Sequence, residues 1–127
     1  MRGLLDTSVF IADEEGRALA TDRLPNEAAI SVVTLAELEL GVHLAASEAV
    51  RGVRLRTLQA TQSTYVALPV DATVASAFAE LVATARREGR SPKVQDAWIA
   101  ATARAAGVPV YTQDSDFDDL PIDVVRV

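Results

Sequence analysis

Residues 2–11, RGLLDTSVFI, join a short apolar run to a set of residues that favour helix starts. The run over residues 2–5 suits a short strand, whereas Asp6, Thr7 and Ser8 are residue types common at the amino-terminal cap of a helix. The rest of the stretch is again apolar. It therefore predicts a strand, a tight turn and a helix, and it places the carboxylate of Asp6 where the strand ends.

Strand and helix patterns alternate along the rest of the chain. We expect Thr34 to cap a helix that carries Glu37 in its first turn. Runs typical of strands cover residues 28–33, 65–68, 108–112 and 123–127, and further helical patterns cover residues 47–62, 74–88 and 94–106. This alternation predicts one domain, residues 1–127, of the α/β class: a three-layer α/β/α sandwich around a mainly parallel central sheet.

The composition limits the chemistry that the chain can perform. Its 127 residues, half of them hydrophobic, suffice for one ordinary core, and the chain has no cysteine and a single histidine. Disulfides and thiolate metal sites are therefore excluded, and a zinc site or a histidine-based hydrolase is disfavoured. Carboxylates and hydroxyls remain as the groups that would carry out any reaction.

The charge balance is acidic, and no secretory signal or membrane span is evident, so we expect a cytoplasmic protein that does not associate with a membrane. The net charge is −6, from 12 basic and 18 acidic side chains. This sign is opposite to that of a protein that binds nucleic acid through a basic surface. Bound divalent cations would neutralise part of an acidic site.

Four carboxylates stand where an α/β fold places its ligand site. Ligands bind outside the carboxyl ends of parallel strands, and Asp6 and Asp114 each follow a predicted strand closely. Glu37 and Asp96 lie at the start of two mostly apolar helices, from which they can reach the same edge. Several carboxylates can stay charged in a buried site when they share a cation. Oxygen ligands select Mg²⁺ or Mn²⁺, and such ions activate water for the cleavage of a phosphodiester.

Aspartates at these positions also have structural interpretations. Acidic residues that follow strands commonly cap helices, as we expect for Asp71. Asp114 and Asp116 are equal candidates for the fourth position of the site, because residues 113–120 are rich in turn-forming aspartates.

A basic track immediately precedes Asp96. It consists of Arg86, Arg87, Arg90 and Lys93. Binding of single-stranded RNA needs local positive charge of this kind even in an acidic protein. Solvation of a helix end and of the loop after it would account for the same residues equally well, so both interpretations stand.

Four short motifs resemble the PIN-domain family and, within it, the VapC toxins. The matching segments are LLDTS at residues 4–8, SVVTLAEL at 31–38 followed by Gly41 and Val42, DAWIAATA at 96–103, and YTQDSDF at 111–117. Each segment is short, but the four together, in this order and over nearly the whole chain, make a specific match.

The resemblance implies a Mg²⁺-dependent endoribonuclease, with Mn²⁺ as an alternative ion, that acts as the toxin of a VapBC-type toxin–antitoxin system. Asp116 would be an accessory or alternative ligand, and Ser8 and Thr112 match hydroxyls that support the water on the metal. The residues that match the acidic quartet of the family are Asp6, Glu37, Asp96 and Asp114.

The resemblance also implies partners for the chain. They are an RNA substrate, a second copy in a homodimer, and a small VapB-like antitoxin whose tail fills the acidic groove. An electronegative and partly apolar cleft suits an arginine on an amphipathic segment. DNA would be reached only through the antitoxin.

Three other functions compete with this interpretation. A phosphatase of the haloacid dehalogenase type needs a second aspartate two residues after the first, where this chain has Ser8. A receiver domain needs an acidic pair near its start, whereas Asp6 stands alone there. A non-catalytic PIN-like protein that only binds RNA or a protein partner is the alternative that the sequence leaves open.

Overall fold

The computed structural model describes residues 1–127 as five strands, five α-helices and two short 3₁₀ helices. The strands are β1 (Arg2–Leu5), β2 (Glu27–Ser31), β3 (Ala67–Leu68), β4 (Val110–Thr112) and β5 (Val124–Arg126). The helices are α1 (Thr7–Glu14), α2 (Val32–His43), α3 (Glu48–Thr64), α4 (Ala72–Arg87) and α5 (Val94–Ala106). The 3₁₀ turns cover Thr21–Arg23 and Ser115–Asp119.

The strands form one parallel sheet in the order β3-β2-β1-β4-β5, so β1 is central. Successive side chains of a strand point to opposite faces of the sheet. Leu4 of β1 belongs to the apolar cluster that includes Leu81 of α4 and Ile99 of α5, whereas Leu5 belongs to a separate cluster with Val9 of α1. Helices therefore cover both faces, and the predicted three-layer sandwich with a parallel sheet is confirmed.

Gly3 determines how closely the chain packs around the two central strands. A Cβ atom at this position would overlap with ring atoms of the fully buried Tyr111 in β4, and it would lie 3.3 Å from Pro25. A tightly packed ring has no free space into which it could move. The absence of a side chain at Gly3 thus allows β1 and β4 to keep their spacing, and the ends of these strands lead to Asp6 and Asp114.

The helix cap predicted at Thr34 is wrong, because α2 begins three residues earlier. The hydroxyl of Ser31 accepts the Val33 N–H at 3.1 Å and caps the helix. The two residues after Ser31 are valines, whose β-branched side chains favour strands. The sequence pattern therefore does not indicate that a helix begins there. Glu37 consequently lies in the second turn of α2 and not in the first, and Thr34 is buried inside the helix.

The other bounds agree with the patterns to within a few residues. α5 begins and ends where its pattern does, and Gly107 closes it in the left-handed conformation, with a φ of +70°. The strand predicted over residues 65–68 is limited to Ala67–Leu68, and β4 and β5 are also shorter than predicted. None of the helices combines the length and the apolar character needed to cross a membrane.

Candidate active site

Asp6 and Asp114 follow the two neighbouring strands β1 and β4. Asp6 comes directly after β1, is almost fully buried, and caps α1 by accepting the Ser8 N–H at its Oδ2 atom, at 3.3 Å. Asp114 comes two residues after β4 and is exposed. Because β1 and β4 are paired in parallel, the two carboxylates lie at the same edge of the sheet.

Two helices add the other carboxylates that the sequence singled out. Glu37 comes from α2, and Asp96 is the third residue of α5. Together with Asp6 and Asp114 they line one cavity of about 170 Å³, hereafter the acidic cavity. The structure thus brings the four carboxylates together. The other residues that line this cavity are Thr7, Ser8, Ile11 and Arg17.

Asp116 does not line the acidic cavity. It lies in the 3₁₀ turn after Asp114, and its Oδ2 atom accepts a hydrogen bond from the Lys93 ammonium group at 2.7 Å. This hydrogen bond raises the pKa of Lys93. Of the two aspartates that the sequence could not rank, Asp114 is therefore the one that lines the acidic cavity, whereas the charge of Asp116 acts on Asp96 from outside it.

A chain of hydrogen bonds orients Asp6. The Thr112 hydroxyl donates to Asp6 Oδ2 at 2.9 Å, and the Ser8 hydroxyl lies 3.1 Å from that of Thr112. The Gln113 N–H donates to Ser8 Oγ at 3.0 Å, and the Asp114 N–H donates to Thr112 Oγ1 at 2.9 Å. Both hydroxyl oxygens thus accept a backbone N–H, and hydrogen bonds from both side chains to the Asp6 carboxylate lower its pKa. The backbone therefore fixes both hydroxyls, and through them the carboxylate.

Thr7 holds Glu37, and sequence reasoning missed it. Its hydroxyl donates to Glu37 Oε1 at 2.7 Å and lies 3.0 Å from the hydroxyl of Thr34. The only available signal was its position between Asp6 and Ser8, and helix capping explains a threonine there equally well. The contact depends on α1 and α2 lying side by side, which one sequence does not reveal.

Burial and mutual repulsion raise the pKa values of three carboxylates. Burial is the main cause for Asp6 and for Glu37, and hydrogen bonds from neighbouring hydroxyls partly offset it. Burial, followed by the negative charges of Asp6, Asp116 and Glu37, raises the pKa of Asp96 to about 7. The Oδ2 atom of Asp96 is also buried without any hydrogen-bond partner. A cation in the acidic cavity would relieve both the repulsion and the missing contact.

The residues present fit a hard divalent cation. The side chains of the acidic cavity that can ligate a metal ion all do so through oxygen atoms. One of these atoms, Asp96 Oδ2, has no hydrogen-bond partner. No group of three acidic side chains has the spacing of a preformed ion cage. Mg²⁺ commonly keeps several waters and takes only one or two carboxylates directly, so an open arrangement of this kind suits it.

The basic track lies outside the acidic cavity. Lys93 is paired with Asp116, and Arg90 donates to the Asp118 carbonyl at 3.5 Å. The cation that does line the cavity is Arg17, which follows α1 in a segment without any pattern that would single it out. Contact with RNA stays a prediction for the four residues of the track, Arg86, Arg87, Arg90 and Lys93.

A wider groove of about 410 Å³, hereafter the apolar groove, adjoins the acidic cavity and shares Thr7, Ile11 and Glu37 with it. Leu40 and Leu44 also line it, and these two residues are 56% and 71% exposed. Exposed apolar patches that are rimmed by polar side chains are typical of interaction sites. A slightly larger cavity of about 490 Å³ near the start of β4 contains no residue of the predicted site.

Comparison with known proteins relates this geometry to a family. The sequence model of the PIN-domain family matches residues 3–123 of this chain. Ribonuclease VapC5 of Mycobacterium tuberculosis is 43% identical over 129 aligned residues, which cover 98% of this chain and 95% of that protein. Ribonuclease VapC4 of the same organism is 41% identical, over 99% of this chain and 97% of that protein.

A solved structure shows the same fold. The crystal structure of VapBC-5, a member of the VapBC family of toxin–antitoxin systems from Mycobacterium tuberculosis, has a chain with a TM-score of 0.92 and 41% sequence identity. The match covers 99% of this chain and 98% of that chain. Every residue that lines the acidic cavity lies within the part of the chain that these comparisons match.

Proposed function

The chain belongs to the PIN-domain family and to its VapC toxins, and on that basis we propose that it is a Mg²⁺-dependent endoribonuclease, the toxin of a VapBC-type toxin–antitoxin system. The observation that carries the proposal is that Asp6, Glu37, Asp96 and Asp114 line one cavity at the carboxyl ends of the strands. Mn²⁺ is an alternative ion, because the same set of oxygen donors suits it.

In this proposal, Asp6, Glu37, Asp96 and Asp114 hold the cation, directly or through water. When bound, the ion supplies activation of water and offsets the charge that develops on the phosphate as a phosphodiester breaks. The hydroxyls of Ser8 and Thr112 keep the Asp6 carboxylate in one orientation. The carboxylate is therefore already oriented before a substrate binds.

Several other residues in and near the acidic cavity have supporting roles in the proposal. Asp116 is an accessory group, because it is paired with Lys93 outside the lining of the acidic cavity while its charge still acts on Asp96. Thr7 keeps Glu37 turned toward the cavity. The exposed arginines 86, 87 and 90 would guide RNA toward the start of α5, where Asp96 lies.

The test of this function is cleavage of single-stranded RNA by the purified chain. Internal cleavage products should form with Mg²⁺ or Mn²⁺, and an excess of chelator should stop the reaction until the ion is added back. RNA binding without cleavage in the presence of either ion would favour the non-catalytic alternative.

We further propose that the apolar groove receives the tail of a VapB-like antitoxin. The groove offers Ile11, Leu40 and Leu44 for apolar contacts, and Glu14 and Glu37 for a basic side chain. This combination suits an amphipathic segment that carries an arginine. The VapBC-5 structure, which this fold matches closely, comes from a toxin–antitoxin family. DNA would be contacted by the antitoxin alone, and a homodimer and a cytoplasmic location stay predictions.

Replacing both Leu40 and Leu44 with aspartate is expected to weaken antitoxin binding by about 10-fold or more, because two apolar contacts become negative charges beside Glu14 and Glu37. The measurement is calorimetric titration with the product of the neighbouring reading frame. Val66→Asp is the matched control, since Val66 is 69% exposed and lies outside the groove. Unchanged affinity of the double variant would remove the apolar groove from the interface.

A further inference from the structure

Arg17 is the only basic residue that lines the acidic cavity, which otherwise contains four carboxylates. Its guanidinium group does not pair with any of the four. Its Nε atom lies 3.1 Å from Oε2 of Glu15, a residue outside the acidic cavity, and the two side chains are 51% and 55% exposed. Exposed ion pairs of this kind contribute little to stability. The guanidinium is therefore available to an anion that enters the cavity.

The backbone that carries Arg17 is anchored beside the site. The preceding glycine has a φ of +70°, which turns the chain back after α1, and the Arg17 N–H donates to the Ala12 carbonyl at 2.8 Å. The side-chain amide of Gln113 donates to the Ala18 carbonyl at 2.8 Å. Because Gln113 directly precedes Asp114, the Arg17 segment is tied to the edge of the sheet that carries the carboxylates. Only the side chain of Arg17 needs to move for its guanidinium group to contact an anion in the acidic cavity.

A substrate phosphate needs such a group in this cavity. The four carboxylates repel a phosphodiester, and a single bound cation does not provide positive charge for the neighbouring phosphates of the strand. A guanidinium matches the geometry of a phosphate with two parallel hydrogen bonds, and it stays charged at every physiological pH.

We infer that Arg17 is a substrate-binding residue, which exchanges Glu15 for a backbone phosphate of RNA adjacent to the scissile bond. The inference rests on the proposed ribonuclease function. It adds a phosphate contact within the cavity itself, separate from the basic track before α5.

The binding test compares Arg17→Gln with Arg23→Gln, both in an Asp6→Asn background that slows cleavage. Arg23 is exposed, lies in the 3₁₀ turn before β2 and forms no ion pair, so the control removes the same charge away from the acidic cavity. Binding of a fluorescent single-stranded RNA is measured by anisotropy at several salt concentrations. Arg17→Gln should weaken binding by about 10-fold and reduce the slope of log affinity against log salt by about 0.7, the value for one lost phosphate contact.

The cleavage test uses the same two variants in the otherwise unmodified chain. Arg17→Gln should raise the KM for RNA by about 10-fold and change kcat little, because the contact is made with bound substrate and transition state alike. Arg17→Lys should keep the salt slope and restore only part of the affinity, since an ammonium cannot form the paired hydrogen bonds.

Two results would overturn the inference. One is that Arg17→Gln matches Arg23→Gln in salt slope and in KM. The other is that its only effect is tighter binding of Mn²⁺, because Arg17 would then compete with the cation and would not bind RNA. Failure of the unmodified chain to cleave RNA with any divalent ion would instead refute the proposed function, and the salt slopes would still decide the role of Arg17.

Discussion

Asp6→Asn is expected to reduce the rate of RNA cleavage by about 100-fold or more, because losing even an outer partner of a metal ligand commonly costs about 10- to 100-fold. Asp6 is the carboxylate that the structure fixes most firmly, through the hydroxyl of Thr112 and the backbone N–H of Ser8. The asparagine side chain has nearly the same shape as aspartate but carries no charge. The substitution therefore removes a negative charge from the cavity without leaving a void. The rate is measured by single-turnover cleavage of a labelled RNA with saturating Mn²⁺.

The Asp6 variant should still fold, because asparagine is as good a helix cap as aspartate and can accept the same two hydrogen bonds. Asp22→Asn is the matched control, since it makes the same chemical change at an exposed residue outside the lining of the acidic cavity. A fully active Asp6→Asn protein with normal circular dichroism would exclude Asp6 from the proposed catalytic centre.

Much of the fold could be predicted because its local signals agree. The capping residues after residues 2–5 identify the start of α1 without information from the rest of the chain. The helical pattern and the closing glycine identify α5 in the same way. The start of α2 could not be predicted in the same way. Two valines with strand preference follow Ser31 there, and packing of the helix on α3 and on the sheet overrides that local preference.

The residues of the site also differ in whether local sequence signals could identify them. Asp6, Asp96 and Asp114 stand out because each follows a recognisable strand or opens a helix. Thr7 and Arg17 do not stand out, because their roles depend on contacts between segments that are far apart in sequence: Thr7 with α2, and the Arg17 segment with Gln113. Asp114 lines the acidic cavity whereas Asp116 pairs with Lys93 outside it, and both placements are again tertiary contacts.

Asp96→Asn is expected to raise the melting temperature of the metal-free protein by several degrees near neutral or mildly alkaline pH. In the folded chain, burial and neighbouring carboxylates raise the pKa of Asp96 from 3.8 to about 7. A carboxyl group that holds its proton more tightly when folded destabilises the fold once it must ionise. The stability of the metal-free wild type should therefore fall as the pH rises from about 4 to about 7 and then level off.

The variant lacks this ionisable group, so its stability should fall less over the same range, and the residual fall reports the raised pKa values of Asp6 and Glu37. Thermal melts with chelator present, at a series of pH values, provide the comparison. Parallel pH profiles for Asp96→Asn and the wild type would mean that folding does not raise the pKa of Asp96.

The shared cation itself is tested most directly by melting the wild type, Asp6→Asn and Asp96→Asn at about pH 8 while Mn²⁺ is titrated, because an ion that binds only the folded chain raises its melting temperature. We expect the wild type and Asp22→Asn to gain stability steadily with Mn²⁺, and the two site variants to gain much less. Equal gains in all four proteins, or none in the wild type at ion concentrations that support cleavage, would contradict a common metal site.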